Sequence, residues 1–137
     1  MTALVAERPA SDPDALYELG GAYDSTGDPE RAVTLYEASL AAGITGPRRR
    51  RLVIQYASSL RNLGRAERAV GLLREELARE PDELTNAVRA TLSLALVDAG
   101  REREAVSVAL TALSEYLPRY NRSMRRYALA LMETTAP

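Results

Sequence analysis

The chain lacks several residue types on which common catalytic and metal-binding chemistry depends. Its 137 residues include no Cys and no His, and all 18 of its basic residues are Arg. Without Cys it has no disulfide and no thiolate metal ligand, and without His it has neither the commonest general base near neutral pH nor the commonest metal ligand. The absence of Lys excludes Schiff-base chemistry and the lysine of a phosphate-binding loop. We therefore expect a protein that is not an enzyme and that uses no metal or cofactor.

Long apolar runs and a strong net charge are also missing. No run approaches the ~20 apolar residues of a membrane span, and the opening "MTALVAERPA" does not have the pattern of a secretory signal. The net charge of −1 gives no bulk attraction to nucleic acid or anionic lipid. We expect a cytoplasmic protein with neither nucleic acid nor membrane as a partner.

Helical periodicity is the main positive signal. The seven aromatic residues are all Tyr, and the alternation typical of strands is absent. Apolar residues at 52, 53, 56, 60 and 63 form one stripe of a helix. Pro, Gly and capping residues divide the chain into seven predicted helices, with Asp82 as the cap of the fifth. Their approximate ranges are 13–25, 29–42, 47–64, 66–80, 83–100, 102–117 and 119–134, after a flexible tail at 1–10.

One short motif occurs three times, as "GDPERAV" from 27, "GRAERAV" from 64 and "GREREAV" from 100. Each glycine is predicted to end one helix in a left-handed conformation, and the short turn makes the next helix antiparallel. The alanine of each motif lets the two helices approach closely. Helical hairpins repeated in this way predict a solenoid.

The repeated pattern resembles the tetratricopeptide repeat, W-x2-L-G-x2-Y followed by A-x3-F and a late Pro. The first repeat matches at Leu16, Leu19, Gly20, Tyr23, Ala32 and Tyr36; the second reads Val53, Tyr56, Ala57, Leu60, Ala69, Leu73 and Pro81; the third reads Arg89, Leu92, Ser93, Leu96, Ala105 and Ala109. In length and spacing the chain is similar to a compact bacterial subfamily of stand-alone members.

The resemblance implies an all-α, right-handed α-α superhelix of three hairpins closed by a capping helix. It implies one domain over 11–134, with repeats at about 13–46, 47–81 and 82–117 and the cap at about 119–134. The function it implies is a non-catalytic protein–protein interaction module.

Two intervals, of 37 and 36 residues, exceed the usual repeat length of about 34. A longer linker or an extended helix start in "AAGITGPRRRR" accounts for the first excess. A longer fifth helix is the simplest interpretation of the second.

In the family, the first helices line a concave groove where a protein or peptide partner binds. The resemblance places the following predicted site there: Tyr17, Asp24, Arg51, Ile54, Gln55, Ser58, Arg61, Asn62, Ala87, Ala90, Leu94 and Val97. Asp14, Glu18, Gly21, Thr91 and Asp98 are also expected to face the groove. Chaperone-tail-binding members grip a terminal carboxylate with Lys and Asn at set groove positions, and that clamp is missing here.

A second apolar stripe on the fifth helix, Ala87, Ala90, Leu94 and Val97, has two interpretations. Neighbouring helices cover it, or it forms an exposed shelf for a partner helix or a second copy. With the shelf exposed, we hypothesise a ligand that has an apolar anchor followed by acidic residues.

The seventh helix also has two interpretations. A stripe of Met124, Tyr127, Ala128 and Leu131 predicts a buried face under a polar outer surface, as a capping helix requires. Alternatively, Leu129 and Met132 make it a dimerisation surface. A self-associating scaffold, working through this helix or the shelf, is the alternative function.

Charged clusters are predicted to be surface features. The run "RRRR" at 48–51 points all round a helix, so we interpret it as solvated, with contact to an anion or an acidic partner as the alternative. The acidic pairs at 75–76 and 102–104 are expected on exposed helix surfaces beside Arg.

Overall fold

The computed structural model describes residues 12–133, which form seven α-helices. The predicted tail at 1–10 and the end of the predicted cap lie outside the described residues. The helices are α1 (Pro13–Ser25), α2 (Pro29–Ala41), α3 (Gly46–Asn62), α4 (Ala66–Leu77), α5 (Thr85–Asp98), α6 (Glu102–Ser114) and α7 (Asn121–Ala130).

Local signals place the helix ends of the first hairpin within one residue of the prediction, whereas α4 ends at Leu77 and not near residue 80. The side chains of Asp12 and Asp28 cap α1 and α2 by accepting backbone N–H groups at 3.2 and 3.3 Å. Gly27, Gly64 and Gly100 adopt φ of 79°, 78° and 78° in the turns within the hairpins. Because a residue with a Cβ is strained there, glycine fixes these three turns.

The two excess lengths arise in different ways. The first lies in α3, which has 17 residues against 13 in α1, so the extended helix start is confirmed. The prediction of a longer fifth helix is wrong, because α5 has 14 residues and begins only at Thr85. Asp82 does not cap it. Its side chain instead accepts the N–H of Leu84 at 2.8 Å, in a turn before the helix.

The hairpins pack through their small and apolar positions. Ala32, Ala69 and Ala105 are buried, as the close approach of the paired helices requires. Each first helix packs against its own second helix, and α3 and α5 also pack against the second helix of the preceding hairpin. The largest fully buried side chains form the core between these layers: Tyr36, Leu52, Val53, Leu60, Val70, Leu73, Val88, Leu92 and Leu96.

Two of the four residues of the arginine run, Arg49 and Arg50, form ion pairs with the end of the second hairpin. Their interpretation as part of a solvated face is therefore wrong. Arg50 is only 6% exposed, and its guanidinium lies 3.4 Å from Glu76 and 3.1 Å from Asp82. Arg49 donates to the same Glu76 at 2.6 Å. Glu76 is therefore buried, contrary to expectation, and the cluster joins the start of α3 to the end of α4. Removing one partner of such a buried pair typically costs about 3–5 kcal/mol.

The seventh helix packs on α6 but only partly as predicted. Ala128 is buried and Met124 and Leu131 are half-buried, whereas Tyr127 is 59% exposed, so its place in the buried stripe is wrong. Asn121 fixes the start of the helix by donating to the carbonyl of Ser114 at 2.6 Å.

The position of α7 differs from that of a helix continuing the stack. Ser107 and Ser114 on α6 are buried under α7, whereas their equivalents on α4, Gly71 and Ala78, are both exposed. The seventh helix therefore covers the back of the third hairpin, and within residues 12–133 no helix covers the end of the stack.

Candidate partner-binding groove

The first helices are joined side by side through ion pairs along their shared face. The guanidinium of Arg48 on α3 lies 3.2 Å from Asp14 and 4.0 Å from Glu18 on α1. Arg61 on α3 lies 2.6 Å from Asp98 on α5. Because both pairs connect successive first helices, they fix the spacing of the face on which the site was predicted.

A cleft of about 440 Å³ opens between α1 and α3 on this face. It brings together three of the predicted site residues, Tyr17, Asp24 and Gln55. Two lining residues were missed, Ser25 and Tyr36. The signal for Tyr36 was present, because Tyr stands where the later repeats have Leu and Ala, which leaves a hydroxyl to be placed beside α3.

A hydrogen-bond network fixes the floor of the cleft. The Tyr36 hydroxyl lies 3.1 Å from a carboxylate oxygen of Asp24 and 3.2 Å from Oε1 of Gln55. Ser59 donates to the other Asp24 oxygen at 3.3 Å. Burial, followed by the nearby Asp24 charge, raises the pKa of Tyr36 well above its usual value. The tyrosine therefore remains a neutral hydrogen-bonding group at physiological pH.

Two adjacent glycines of α1 meet different surroundings. A Cβ added to Gly20 would lie 2.7 Å from the ring of Tyr36, so this glycine is required by packing. A Cβ added to Gly21 would meet nothing within 4 Å, although Gly21 lines the cleft. Larger side chains at Gly21 would enter the cleft without disturbing the core.

The middle of the predicted groove carries less free positive charge than its sequence suggests. Arg61 is paired with Asp98, which leaves Arg51 exposed and without an ion-pair partner within residues 12–133. Asn62 is exposed, whereas Ile54 is half-buried and packs against the core. Ser58 is half-buried as well.

The apolar shelf of α5 is exposed. Leu94 and Val97 expose 51% and 48% of their surface, Ala90 is exposed and Ala87 is half-buried. The interpretation in which neighbouring helices cover the shelf is therefore wrong within the described chain. The shelf lies at the end of the stack, because Arg61, the equivalent of Val97 in the second repeat, contacts the next first helix.

Comparison with known families agrees with this architecture. A family model described as "Tetratrico peptide repeat" matches residues 13–131. The chain belongs to the tetratricopeptide repeat family. Such repeats typically mediate protein–protein interactions, and their members are generally non-catalytic scaffolds. No curated protein and no solved structure matches the chain.

Metal-binding clusters and membrane-spanning helices are both absent from the described residues. Over 12–133, this tetratricopeptide protein has no group of three or more acidic side chains placed to hold a metal ion. The same part of the chain contains no helix whose length and apolar character would allow it to cross a bilayer.

Proposed function

We propose that the face formed by α1 and α3 binds a segment of a partner protein. The cleft lined by Tyr17, Asp24 and Gln55 is the observation that supports this proposal most directly. It has a rigid hydrogen-bonded floor, and its open side is formed by a helical glycine, Gly21. Preorganised concave sites of this kind bind with little cost of ordering.

The charges around the cleft favour a segment with two opposite charges. Asp24 gives the cleft a negative lining beside the ring of Tyr17, which suits a basic side chain of the ligand, whereas the charge of Glu18 is shared with Arg48. Arg51 is free to pair with an acidic residue further along the segment. The hypothesised run of acidic residues is thus reduced to a single contact, because Arg48 and Arg61 are paired within the chain.

The second candidate function is self-association. It is favoured by the exposure of Leu94 and Val97 on the shelf and of Leu129 and Met132 on α7. The apolar anchor predicted from the sequence fits this second candidate as well as it fits a peptide ligand.

Affinity capture from a lysate of the source organism tests the groove. The test variant combines Gly21→Arg, which fills the cleft with a positively charged side chain, with Arg51→Glu, which reverses the charge at position 51. The matched control is Glu75→Arg, an exposed substitution on α4 away from the groove. We expect one protein to be captured by wild type and by the control, and to be lost with the double variant.

Two other outcomes contradict the groove. Equal capture by the double variant, with its helicity intact by circular dichroism, would place the partner elsewhere. Recovery of the chain alone would favour the second candidate.

A further inference from the structure

One face of α6 is exposed to solvent although its residues have the apolar spacing that is typical of a buried helix face. Val106 and Leu113 expose 49% and 51% of their surface, and Ala109 between them is exposed. The steps of 3 and 4 residues put all three on one side of the helix. A charge-free run, "AVSVALTALS" at 105–114, contains them.

The equivalent stripe is covered in both earlier repeats. Val33 and Val70, which correspond to Val106, are 3% and 2% exposed. Tyr36 corresponds to Ala109, and it contacts Gln55 of the following first helix. These positions therefore form the face on which the next hairpin stacks, and in the third repeat no helix of the described chain covers that face.

The shelf of α5 borders the same vacant position. In the second repeat, α5 packs against α3 as the next first helix, and Arg61, the equivalent of Val97, contacts it. We call the combined surface of Ala90, Leu94, Val97, Val106, Ala109 and Leu113 the vacant seat. The vacant seat uses the same repeat positions as the two interfaces between successive hairpins, and each of those interfaces holds a helix.

The vacant seat differs from the two filled ones in charge. The first hairpin meets the following helix with Asp14 and Glu18, and the second meets it with Arg61. The corresponding positions of the third hairpin are Ala87, Thr91 and Val97. These three positions are uncharged, so an occupant needs an apolar surface opposite them.

We propose that a second copy of the chain occupies the vacant seat through an identical seat, in a symmetric dimer. Within residues 12–133, every large exposed apolar side chain lies between Leu94 and Met132, so the first two repeats offer no matching apolar face. A contact of like with like is the closed arrangement available to such a patch.

The alternative surface on α7 is electrostatically unsuited to self-contact. From 116 to 132 the chain has no acidic residue, and it carries Arg119, Arg122, Arg125 and Arg126. Two copies meeting through α7 would bring these like charges together. The uncharged seat has no such repulsion.

The pattern of α6 is complementary to itself when two copies run antiparallel. A two-fold axis near Ala109 places Val106 of each copy opposite Leu113 of the other, and the small Ala109 at the crossing permits close approach.

Mass in solution tests the proposal. Sedimentation or light scattering at increasing concentration should give wild type twice the 15.0 kDa of one chain. Leu113→Asp should give a monomer, whereas the matched control Leu129→Asp, a leucine of similar exposure on α7, should remain a dimer. A monomeric wild type overturns the proposal, and so does loss of the dimer with the control alone.

Crosslinking locates the axis, because the chain has no native Cys. Under mild oxidation, Ala109→Cys should form a disulfide-linked dimer, and Ala38→Cys, on the exposed surface of α2, should not. A dimeric mass with no crosslink at position 109 would overturn the proposed axis. The groove double variant should leave the mass unchanged, so this proposal and the proposed function fail independently.

Discussion

The second and third hairpins carry the same sequence pattern in different surroundings. Val70 and Val106 stand at the same place after their turn glycines, yet one is 2% and the other 49% exposed. The difference is the next helix along the chain, since α5 covers the second hairpin and α7 packs behind the third. A periodic pattern thus identifies the face that stacks, while burial depends on whether another helix is placed against that face.

The largest predicted difference comes from placing a charge at this pair of positions. Val70→Asp buries an unpaired carboxylate and should reduce the free energy of unfolding by roughly 4 kcal/mol or more. Val106→Asp should change it by about 0.5 kcal/mol or less in the monomer, because the new carboxylate stays in water. Urea denaturation in the dilute, monomeric range measures both.

Comparing the two Asp variants also tests whether Val106 lies at an uncovered end of the stack while Val70 lies inside it. Equal destabilisation by the two variants would mean that Val106 is covered in the folded monomer, contrary to an open end of the stack. Val70→Thr and Val106→Thr, which keep the shape and add only a hydroxyl, should show the same order with a smaller gap.

Local chemistry explains what the sequence predicts well. Gly27 and Asp28 fix a turn and a helix start through contacts within a few residues, so a short segment of sequence is enough to predict their roles. The buried pair of Arg50 and Glu76 depends on two elements that meet only after folding, and no local rule identifies it. A charged run therefore predicts solvent exposure until its partners are known.

The groove shows the same division. The pattern of the first helices places Tyr17, Asp24 and Gln55 on one face, and the structure joins them in one cleft. Helical register is sufficient to place Tyr17 and Asp24 on one face of α1, and the resemblance to the family adds Gln55 of α3 to that face. The neutralisation of Arg61 by Asp98 depends on the spacing between helices, so the expected basic stretch overestimates the free charge.

The first inter-repeat contact differs from the second in its buried tyrosines, and high pH should weaken it selectively. Burial, then a hydrogen bond to Glu37, raises the pKa of Tyr56 to about 12. The pKa of Tyr36 is raised in the same direction, chiefly by burial. The equivalents of Tyr36 in the later repeats, Leu73 and Ala109, do not titrate.

The sign of the effect is set by proton binding. The unfolded chain releases tyrosine protons near pH 10, while the folded chain retains them, so the stabilisation is complete below pH 10 and is lost as pH rises towards 12. At pH 11 the expected loss is about 1.4 kcal/mol for each retained proton. Because the chain lacks Lys and Cys, tyrosine is the main side-chain type that titrates in this window.

Absorbance at the tyrosinate band and urea denaturation measure this effect together. Two of the seven tyrosines should resist ionisation until the chain unfolds. The double variant Tyr36→Phe, Tyr56→Phe should flatten the pH dependence. Ionisation of all seven tyrosines as one group in the folded protein would contradict the prediction.

The smallest predicted effect concerns two equivalent ion pairs, one in the contact between the first and second hairpins and one in the contact between the second and third. The acidic and basic positions are exchanged between the two pairs. Glu37 pairs with Arg68 at 3.2 Å between α2 and α4. At the equivalent positions of the next contact, Arg74 pairs with Glu104. If the third hairpin stacked on the first, Glu37 would face Glu104, so the exchange favours the observed order.

A double-mutant cycle sharpens this point. Glu37→Arg alone should cost up to about 1 kcal/mol, because the pair is exposed and the new side chain faces Arg68. Adding Arg68→Glu should recover most of the loss, since the Tyr56 hydroxyl between them can donate to a carboxylate on either side. The coupling should shrink at about 1 M salt. Additive losses in the double variant would show that hairpin order rests on apolar packing alone.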